Sequence, residues 1–147
     1  MNANDDLDLS PVVDFGLTFK RAQHLLGQRI DEVLRPLDLN LGLWRVLRET
    51  ARQPGASASE LARASFHTSQ TLSGLLLRLQ ERGLVERSTG RGRIVENHLT
   101  AAGHDALSAA TRRAEEVIAA ALAVFSPEER ASFERLTADF AEALARD

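Results

Sequence analysis

The amino-acid sequence predicts a mainly α-helical fold with one small β-hairpin. Apolar residues recur at helical spacing in six segments, and capping residues and prolines mark where several of these segments begin and end. One glycine-rich stretch separates two short strand-forming runs, as in a hairpin. With 147 residues the chain has the length of one domain, which is enough to bury a core.

The first helix is predicted over residues 10–35. Ser10 is a suitable N-cap and Pro11 suits the first helical position. Pro36 disfavours helical geometry in the residue before it, so the helix should stop there. Apolar residues in this segment follow at steps of three and four and form a one-sided stripe. The stripe consists of Phe15, Phe19, Ala22, Leu26, Ile30 and Val33.

Two shorter helices follow. The second is predicted over residues 41–51, and the third over residues 58–64. The third begins at a capping box, in which Ser57 covers an exposed N–H and Glu60 reaches back to the N-cap. The inward face of the second helix is predicted to hold Leu43, Trp44, Val46 and Leu47.

The fourth helix is predicted to have one packed face and one free face. Thr68 is its natural N-cap, and Gly83 is suited to end it. The packed face carries Leu72, Leu75, Leu76 and Leu79, and the free face carries Ser69, Gln70, Ser73, Gly74 and Arg78.

A small hairpin is predicted next, with strands at residues 84–87 and 94–99 around a glycine-rich tip at 88–93. The order of helix, helix, turn, helix and hairpin is that of a winged helix-turn-helix, which we assign to residues 41–100. The fourth helix is then the element that reads DNA.

Two terminal helices complete the chain. Thr100 caps a long fifth helix, and Ser126 with Pro127 and Glu129 restarts the chain as a sixth. We expect the apolar stripes of these helices to be exposed on a compact winged helix and to need a further partner. They consist of Ala106, Leu107, Ala110, Ala114, Val117, Ile118, Ala121 and Leu122 in the fifth helix, and Phe133, Leu136, Phe140 and Leu144 in the sixth.

Charge and composition narrow the class of function. Residues 45–100 hold nine Arg against five Glu, a balance of +4, although the whole chain carries −3. Such a concentration of positive charge suggests a polyanion partner.

The absence of Cys excludes disulfides and thiolate chemistry. No apolar run approaches the ~20 residues of a membrane span, and the acidic start (residues 1–9, expected to be disordered) lacks a signal-peptide pattern. We therefore expect a cytoplasmic protein without a membrane partner.

The sequence resembles the MarR (multiple antibiotic resistance regulator) family of bacterial transcription factors over nearly its whole length. The run 78–87, Arg-Leu-Gln-Glu-Arg-Gly-Leu-Val-Glu-Arg, is the most specific match. Further matches are Leu-Trp-Arg-Val-Leu at 43–47, Ser-Glu-Leu-Ala at 59–62, Thr71, and Leu-Thr-Ala-Ala-Gly at 99–103.

The resemblance implies one MarR-like domain over residues 1–147. Residues 10–35 and 101–146 would interlock with a second copy in a homodimer, which would bind a pseudo-palindromic site on double-stranded DNA. The fourth helix would enter the major groove, where Gln70 can pair with adenine and Arg78 can hold the backbone. Arg91 or Arg93 would enter the minor groove. The remaining expected DNA contacts are Ser65, His67, Thr68, Ser69, Thr71 and Ser73.

Two departures from the family pattern bear on DNA recognition. The hairpin loop is shorter and lacks the Asp that orients the family's wing arginine, and Gly74 stands where many relatives have a larger polar or basic residue. Specificity should therefore depend more on DNA shape than on direct base contacts.

The resemblance also implies a cleft for a small effector, an aromatic acid or another amphipathic compound, lined by the first, second and fifth helices. A ligand there would change DNA affinity by favouring one spacing of the two reading helices. The residues expected at this cleft are Phe15, Phe19, His24, Trp44 and Arg48; core packing is an equally good interpretation of the three aromatic residues.

Other functions are open at this point. A winged helix could serve as a protein-interaction module without specific DNA binding, which the shortened wing and the net acidity would suit. A small hydrolase is disfavoured, because the sequence contains no HExxH, P-loop or Ser/His/Asp pattern. A zinc-sensing variant would use His24 or His104 with carboxylates, but we expect no metal or cofactor.

Overall fold

The structure is a computed structural model that describes residues 10–90 and 92–146. The expected disorder of residues 1–9 and the predicted role of Arg91 lie outside this part of the chain. Its elements are α1 (Pro11–Leu34), a 3-10 turn (Arg35–Leu37), α2 (Leu41–Arg52), α3 (Ala58–Ser65), α4 (Ser69–Glu81), β1 (Val85–Thr89), β2 (Val95–Leu99), α5 (Ala101–Leu122) and α6 (Pro127–Ala145). The described chain thus has the six helices and the hairpin that the sequence predicts.

Most helices begin where their caps predict. The hydroxyl oxygens of Ser57, Thr68, Thr100 and Ser126 each accept a hydrogen bond from a backbone N–H in the first turn of α3, α4, α5 and α6. Ser10 precedes α1 as predicted, but its side chain makes no capping bond. Helix α2 has an N-cap that the sequence analysis missed: the Asn40 side chain accepts from the Leu43 N–H at 2.8 Å.

Contacts divide the chain into two compact units, Met1–Ala114 and Glu115–Asp147. The first unit holds the core, whose largest fully buried side chains come from α1 to α4 and β1 and include Leu34, Leu43, Val46, Leu47, Leu61, Leu72, Leu76, Leu79 and Val85. The burial of leucines at three- and four-residue spacing leaves the opposite face of α4 exposed, as the pattern predicts.

The hairpin is antiparallel, and its first strand ends two residues later than predicted. Val85 pairs with Leu99, and Thr89 pairs with Val95, so β1 continues through two residues that the sequence analysis placed in the tip. The turn between the strands is closed by the Gly90 N–H, which donates to the Ile94 carbonyl at 3.0 Å. Gly92, at φ 68°, supplies the left-handed conformation that the turn needs.

Side-chain to backbone bonds fasten the hairpin and α4 to the rest of the first unit. The buried Asn97 amide donates to the Ala56 carbonyl at 2.9 Å, joining β2 to the loop before α3. Arg82, which caps the end of α4, donates to the carbonyls of Leu37, the last residue of the 3-10 turn after α1, and of Asp38, which follows it. The junction between α4 and the hairpin, and the second strand of the hairpin, are therefore anchored by polar contacts.

The predicted exposed stripe of α5 is partly wrong. Ala110 and Ala114 are fully buried within the chain, because alanine side chains allow close helix approach. Ala106, Leu107, Val117, Ile118 and Leu122 are half-buried, and Ala121 is exposed. The Trp44 indole N–H of α2 donates to the Thr111 hydroxyl of α5 at 3.1 Å, which ties these two helices together.

The second unit contains the end of α5 and all of α6. The rings of Phe125 and Phe133 lie 5.1 Å apart, and a capping box at Ser126 starts α6. Apolar side chains of α6 remain exposed in the single chain, namely Phe133, Leu136, Phe140 and Leu144. No helix in the described part of the chain is both long and apolar enough to span a membrane.

Candidate nucleic-acid interface

The N-terminus of α4 is organised by two threonines. The Thr68 hydroxyl oxygen accepts from the Thr71 N–H at 3.2 Å and also donates to the Thr71 hydroxyl at 2.9 Å. Both side chains are exposed. The pair fixes the start of the helix, where backbone N–H groups and the helix dipole favour a negatively charged partner.

The exposed face of α4 offers polar groups that the chain itself does not use. Within residues 10–90 and 92–146, the side chains of Ser69, Gln70, Ser73 and Arg78 make no hydrogen bond or ion pair. Gly74 opens onto empty space, with nothing within 4 Å of an added Cβ. This surface can accept a large partner without breaking any internal bond.

Hydrogen bonds to the buried residue Ser65 stabilise the turn before α4. Ser65 is buried: its hydroxyl donates to the Leu61 carbonyl at 2.6 Å and lies 3.1 Å from His67 Nδ1. Arg45 of α2 donates to the Ser65 carbonyl. Ser65 therefore supports the turn, because the helix back-bond engages its hydroxyl, and its DNA contact stays a prediction.

His67 lies half-buried in the same turn. Burial, and secondarily the charge of Arg45, lowers the pKa of its imidazole below the ordinary value of 6.5. The ring is thus held in its neutral form near neutral pH, and it can donate or accept one hydrogen bond at each nitrogen according to the tautomer.

The hairpin, which we call the wing, presents exposed cationic side chains. Arg87 lies on β1, and Arg93 lies in the turn between the strands. Neither guanidinium makes a hydrogen bond or ion pair with the described residues. The carboxylate of Glu96 lies at the base of the turn, where it would touch a side chain at Gly90. The described wing therefore presents two exposed arginines that are available to a polyanion.

Of the five residues expected at an effector cleft, two line the same cavity and three lie outside it. Trp44 and Arg48 line a surface cavity of about 250 Å³ together with Arg45, Glu49, Arg52, Ala64, Ser65 and Phe66. Phe15 and Phe19 lie on α1 with ring centroids 6.1 Å apart, and His24 is exposed on the same helix; none of the three lines this cavity.

Sequence reasoning missed several residues around this site. Phe66 is 88% exposed and caps α3 in a left-handed conformation, and neither fact can be read from an apolar residue in a turn. The spacing of Arg45, Arg48 and Arg52 on one face of α2 was a readable signal for a basic cluster. Among the described residues, no three His, Asp or Glu side chains are grouped so that they could hold a metal ion.

Comparisons with known proteins agree with this geometry. A model of the MarR family matches residues 37–94. The HTH-type transcriptional repressor Rv2887 of Mycobacterium tuberculosis is 33% identical over 117 residues, which cover 78% of this chain and 81% of the relative.

Solved structures of Rv2887 share the fold. Its complex with DNA has a TM-score of 0.75 and 27% identity, covering 85% of this chain and 95% of that one. Its complex with salicylic acid has a TM-score of 0.73 and 29% identity, covering 90% and 98%. A mainly helical winged helix-turn-helix is thus the fold that this chain shares with them.

Proposed function

The chain belongs to the MarR family, and we propose that it is a homodimeric transcriptional repressor that binds double-stranded DNA through α4 and the wing. The observation that carries this proposal is the exposed face of α4, where the side chains of Ser69, Gln70, Ser73 and Arg78 have no partner among the described residues. The relative Rv2887, a repressor solved in complex with DNA, supports it.

In this proposal α4 enters the major groove. Gln70 can form two hydrogen bonds with an adenine edge, and Ser69 and Ser73 are short enough to bond bases or phosphates. Thr68 and Thr71 keep the helix start in place and contact the backbone, as does Arg78 one or two turns later. His67, in the turn, completes this set.

The wing would insert an arginine into the minor groove. Arg93 is exposed and without an internal partner, and Arg91 is the second candidate, although it lies outside the described residues. A narrow minor groove has enhanced negative potential, so one such arginine favours DNA whose sequence narrows that groove.

Dimerisation is the third part of the proposal. We assign it to α1, α5 and α6, since α1 and α6 both expose large apolar side chains in the single chain. The most exposed are Val12 and Leu144, at 77% and 72%. A two-fold dimer would place two copies of α4 about one DNA turn apart on a pseudo-palindromic operator.

A small ligand is proposed to weaken DNA binding, as the salicylic acid complex of Rv2887 suggests. Trp44 and Arg48 are the predicted effector residues that share a cavity, while Phe15, Phe19 and His24 stay candidates for a cleft beside the dimer helices. The proposal assigns no catalytic chemistry to the chain and places it in the cytoplasm, where its DNA is.

The test is a fluorescence-anisotropy titration with DNA that flanks the protein's own gene, at two salt concentrations and with competitor DNA. Specific binding should survive competitor and weaken steeply with salt, because phosphate contacts release counterions. Arg93→Ala should weaken binding and reduce the salt slope by about one. Binding that competitor DNA abolishes would instead favour the protein-interaction module.

A further inference from the structure

Helix α4 carries one large apolar side chain on its exposed face. Leu77 is 50% exposed, whereas Leu72, Leu76 and Leu79 of the same helix are buried and Leu75 is half-buried. We propose that Leu77 contacts the C5-methyl group of a thymine in the major groove and so determines part of the operator sequence. The inference rests on the proposed function, because it gives a base-reading role to a further residue of α4.

Leu77 lies within the surface that faces DNA in the proposed complex. Gln70, Gly74 and Leu77 follow at steps of four and three residues, which places them within about 60° of one another around the helix axis. Ser73 and Arg78 lie on either side of Leu77, and the side chains of both are exposed and have no partner among the described residues. A partner that covers these polar groups therefore covers Leu77 as well.

The core of the chain does not account for a leucine at this position. The buried Leu79 lies about 160° away around the helix axis, so the packed face is supplied by other leucines. A single exposed leucine is common on protein surfaces and identifies no partner by itself. Leu77 differs because it is surrounded by polar groups that are free to bind DNA.

Gly74 leaves room beside Leu77. An added Cβ at Gly74 would have no heavy atom within 4 Å, so the Leu77 side chain does not close over this position. A group of methyl size that projects from a base edge can enter this space, about one helical turn before Leu77. A larger side chain at residue 74 would occupy it, so the glycine and the leucine together form the contact site.

The major groove offers one kind of apolar group. Thymine carries a C5-methyl there, whereas the other bases present only hydrogen-bond donors and acceptors. A leucine side chain has neither donors nor acceptors, so the methyl is the group that it can recognise. Removing one methyl-sized group from water corresponds to about a fourfold gain in affinity.

Gln70 and Leu77 should contact different base pairs. The seven residues between them correspond to a rise of about 10 Å, which is close to three base-pair steps. A helix that lies along the groove would therefore place the thymine about three base pairs from the pair that Gln70 contacts.

Replacing thymine by deoxyuridine tests the inference, because it removes the methyl group and nothing else. Synthetic duplexes of the DNA that flanks the protein's own gene carry the replacement at one thymine position at a time, symmetrically in both half-sites. Anisotropy titrations should show one position at which affinity falls about fourfold for each half-site. With a cytosine at that position, its 5-methyl derivative should bind more tightly than cytosine itself by the same factor.

Variants assign the effect to the side chain. Leu77→Ala should bind the thymine and deoxyuridine duplexes with equal affinity. Leu77→Met keeps an apolar side chain of similar volume and should still prefer thymine. The ratio of the two affinities is the readout, because a structural defect would weaken binding to both duplexes alike.

Two results would overturn the inference. One is that no deoxyuridine position weakens binding, and the other is that Leu77→Ala prefers thymine as strongly as the natural chain does. If the natural chain still binds its DNA specifically in either case, the proposed function stands and only the role of Leu77 is wrong. If it binds no DNA specifically, the proposed function fails and the inference fails with it.

Discussion

In the proposed complex, the side chains in the first turn of α4 determine which DNA bases the helix can recognise. Gln70 is exposed in the first turn of the helix and has no partner among the described residues, whereas the neighbouring Thr71 hydroxyl is held by Thr68. A long amide that is free to form two hydrogen bonds can distinguish an adenine from other bases, while a bonded hydroxyl mainly fixes position.

Gln70→Ala is therefore expected to relax sequence preference, with a loss of about 1–3 kcal/mol of discrimination at one base pair. Gln80→Ala is the matched control, because it removes the same side chain from the last turns of the same helix. Anisotropy titrations on the operator and on single-base variants of it measure the effect. Equal loss on every DNA, or none, would show that Gln70 does not read a base.

His67 gives the turn a pH dependence of known sign. Because burial and Arg45 lower its pKa, the folded state favours the neutral imidazole. Its contribution to stability is complete above the ordinary value of 6.5 and declines as pH falls through the folded-state pKa.

An NMR titration of the His67 ring should therefore give a pKa below 6.5, and Arg45→Gln should raise it part of the way back. The free energy of unfolding should also fall less steeply with acidification in His67→Gln than in the natural chain. A ring pKa at or above 6.5 would contradict the assigned cause.

Helix α5 packs closely against the start of the hairpin because a glycine lies at their contact. Gly103, in the first turn of α5, lies so close to the residue before β1 that an added Cβ would be 2.0 Å from the Leu84 carbonyl oxygen. The Thr100 N–H donates to the same carbonyl at 3.1 Å, so this junction joins the wing to α5 through backbone contacts. A backbone atom cannot move aside as a flexible side chain can.

Gly103→Ala is expected to lower the free energy of unfolding by about 1–3 kcal/mol, the usual cost of overpacking. Gly74→Ala is the control, since its helical position is open and alanine should stabilise it by about 0.5–1 kcal/mol. Urea denaturation of both variants measures the difference. Equal effects would mean that the α5 junction relaxes without cost.

The starts of α3, α4 and α6 could be predicted from their caps, because the side chains of Ser57, Thr68 and Ser126 each bond to a backbone N–H only three residues away. The end of β1 could not be predicted in this way, because Ser88 and Thr89 belong to the strand only through their pairing with residues of β2. The exposed polar face of α4 follows from leucine spacing. The burial of Ser65 and the cavity at Phe66 depend on how α2 meets α3, which no local pattern encodes.

The single chain exposes large apolar side chains on its first and last helices. Leu136 and Leu144 of α6 and Phe15 of α1 are each more than half exposed. A second copy that covers these helices would bury this surface, and the stability of the chain would then depend on its concentration.

Leu136→Glu is expected to shift the protein from dimer to monomer and to lower its thermal stability, because a carboxylate cannot be buried without a partner. Ala138→Glu, at an exposed position on the opposite face of the same helix, should leave the dimer intact. Sedimentation analysis over a range of concentrations measures both. A Leu136→Glu variant that stays dimeric would remove α6 from the interface.

The hydrogen bonds from Arg82 to the carbonyls of Leu37 and Asp38 fix the C-terminal end of α4, so a tilt of the helix would pivot about that end. The helix has 13 residues and so is about 20 Å long, with Arg82 at one end and Gln70 near the other. A tilt of about 10° around that pivot would carry the far end through about 3.5 Å, which is close to the rise of one base pair. A change in helix angle of this size would therefore be enough to move the reading end out of register with its operator.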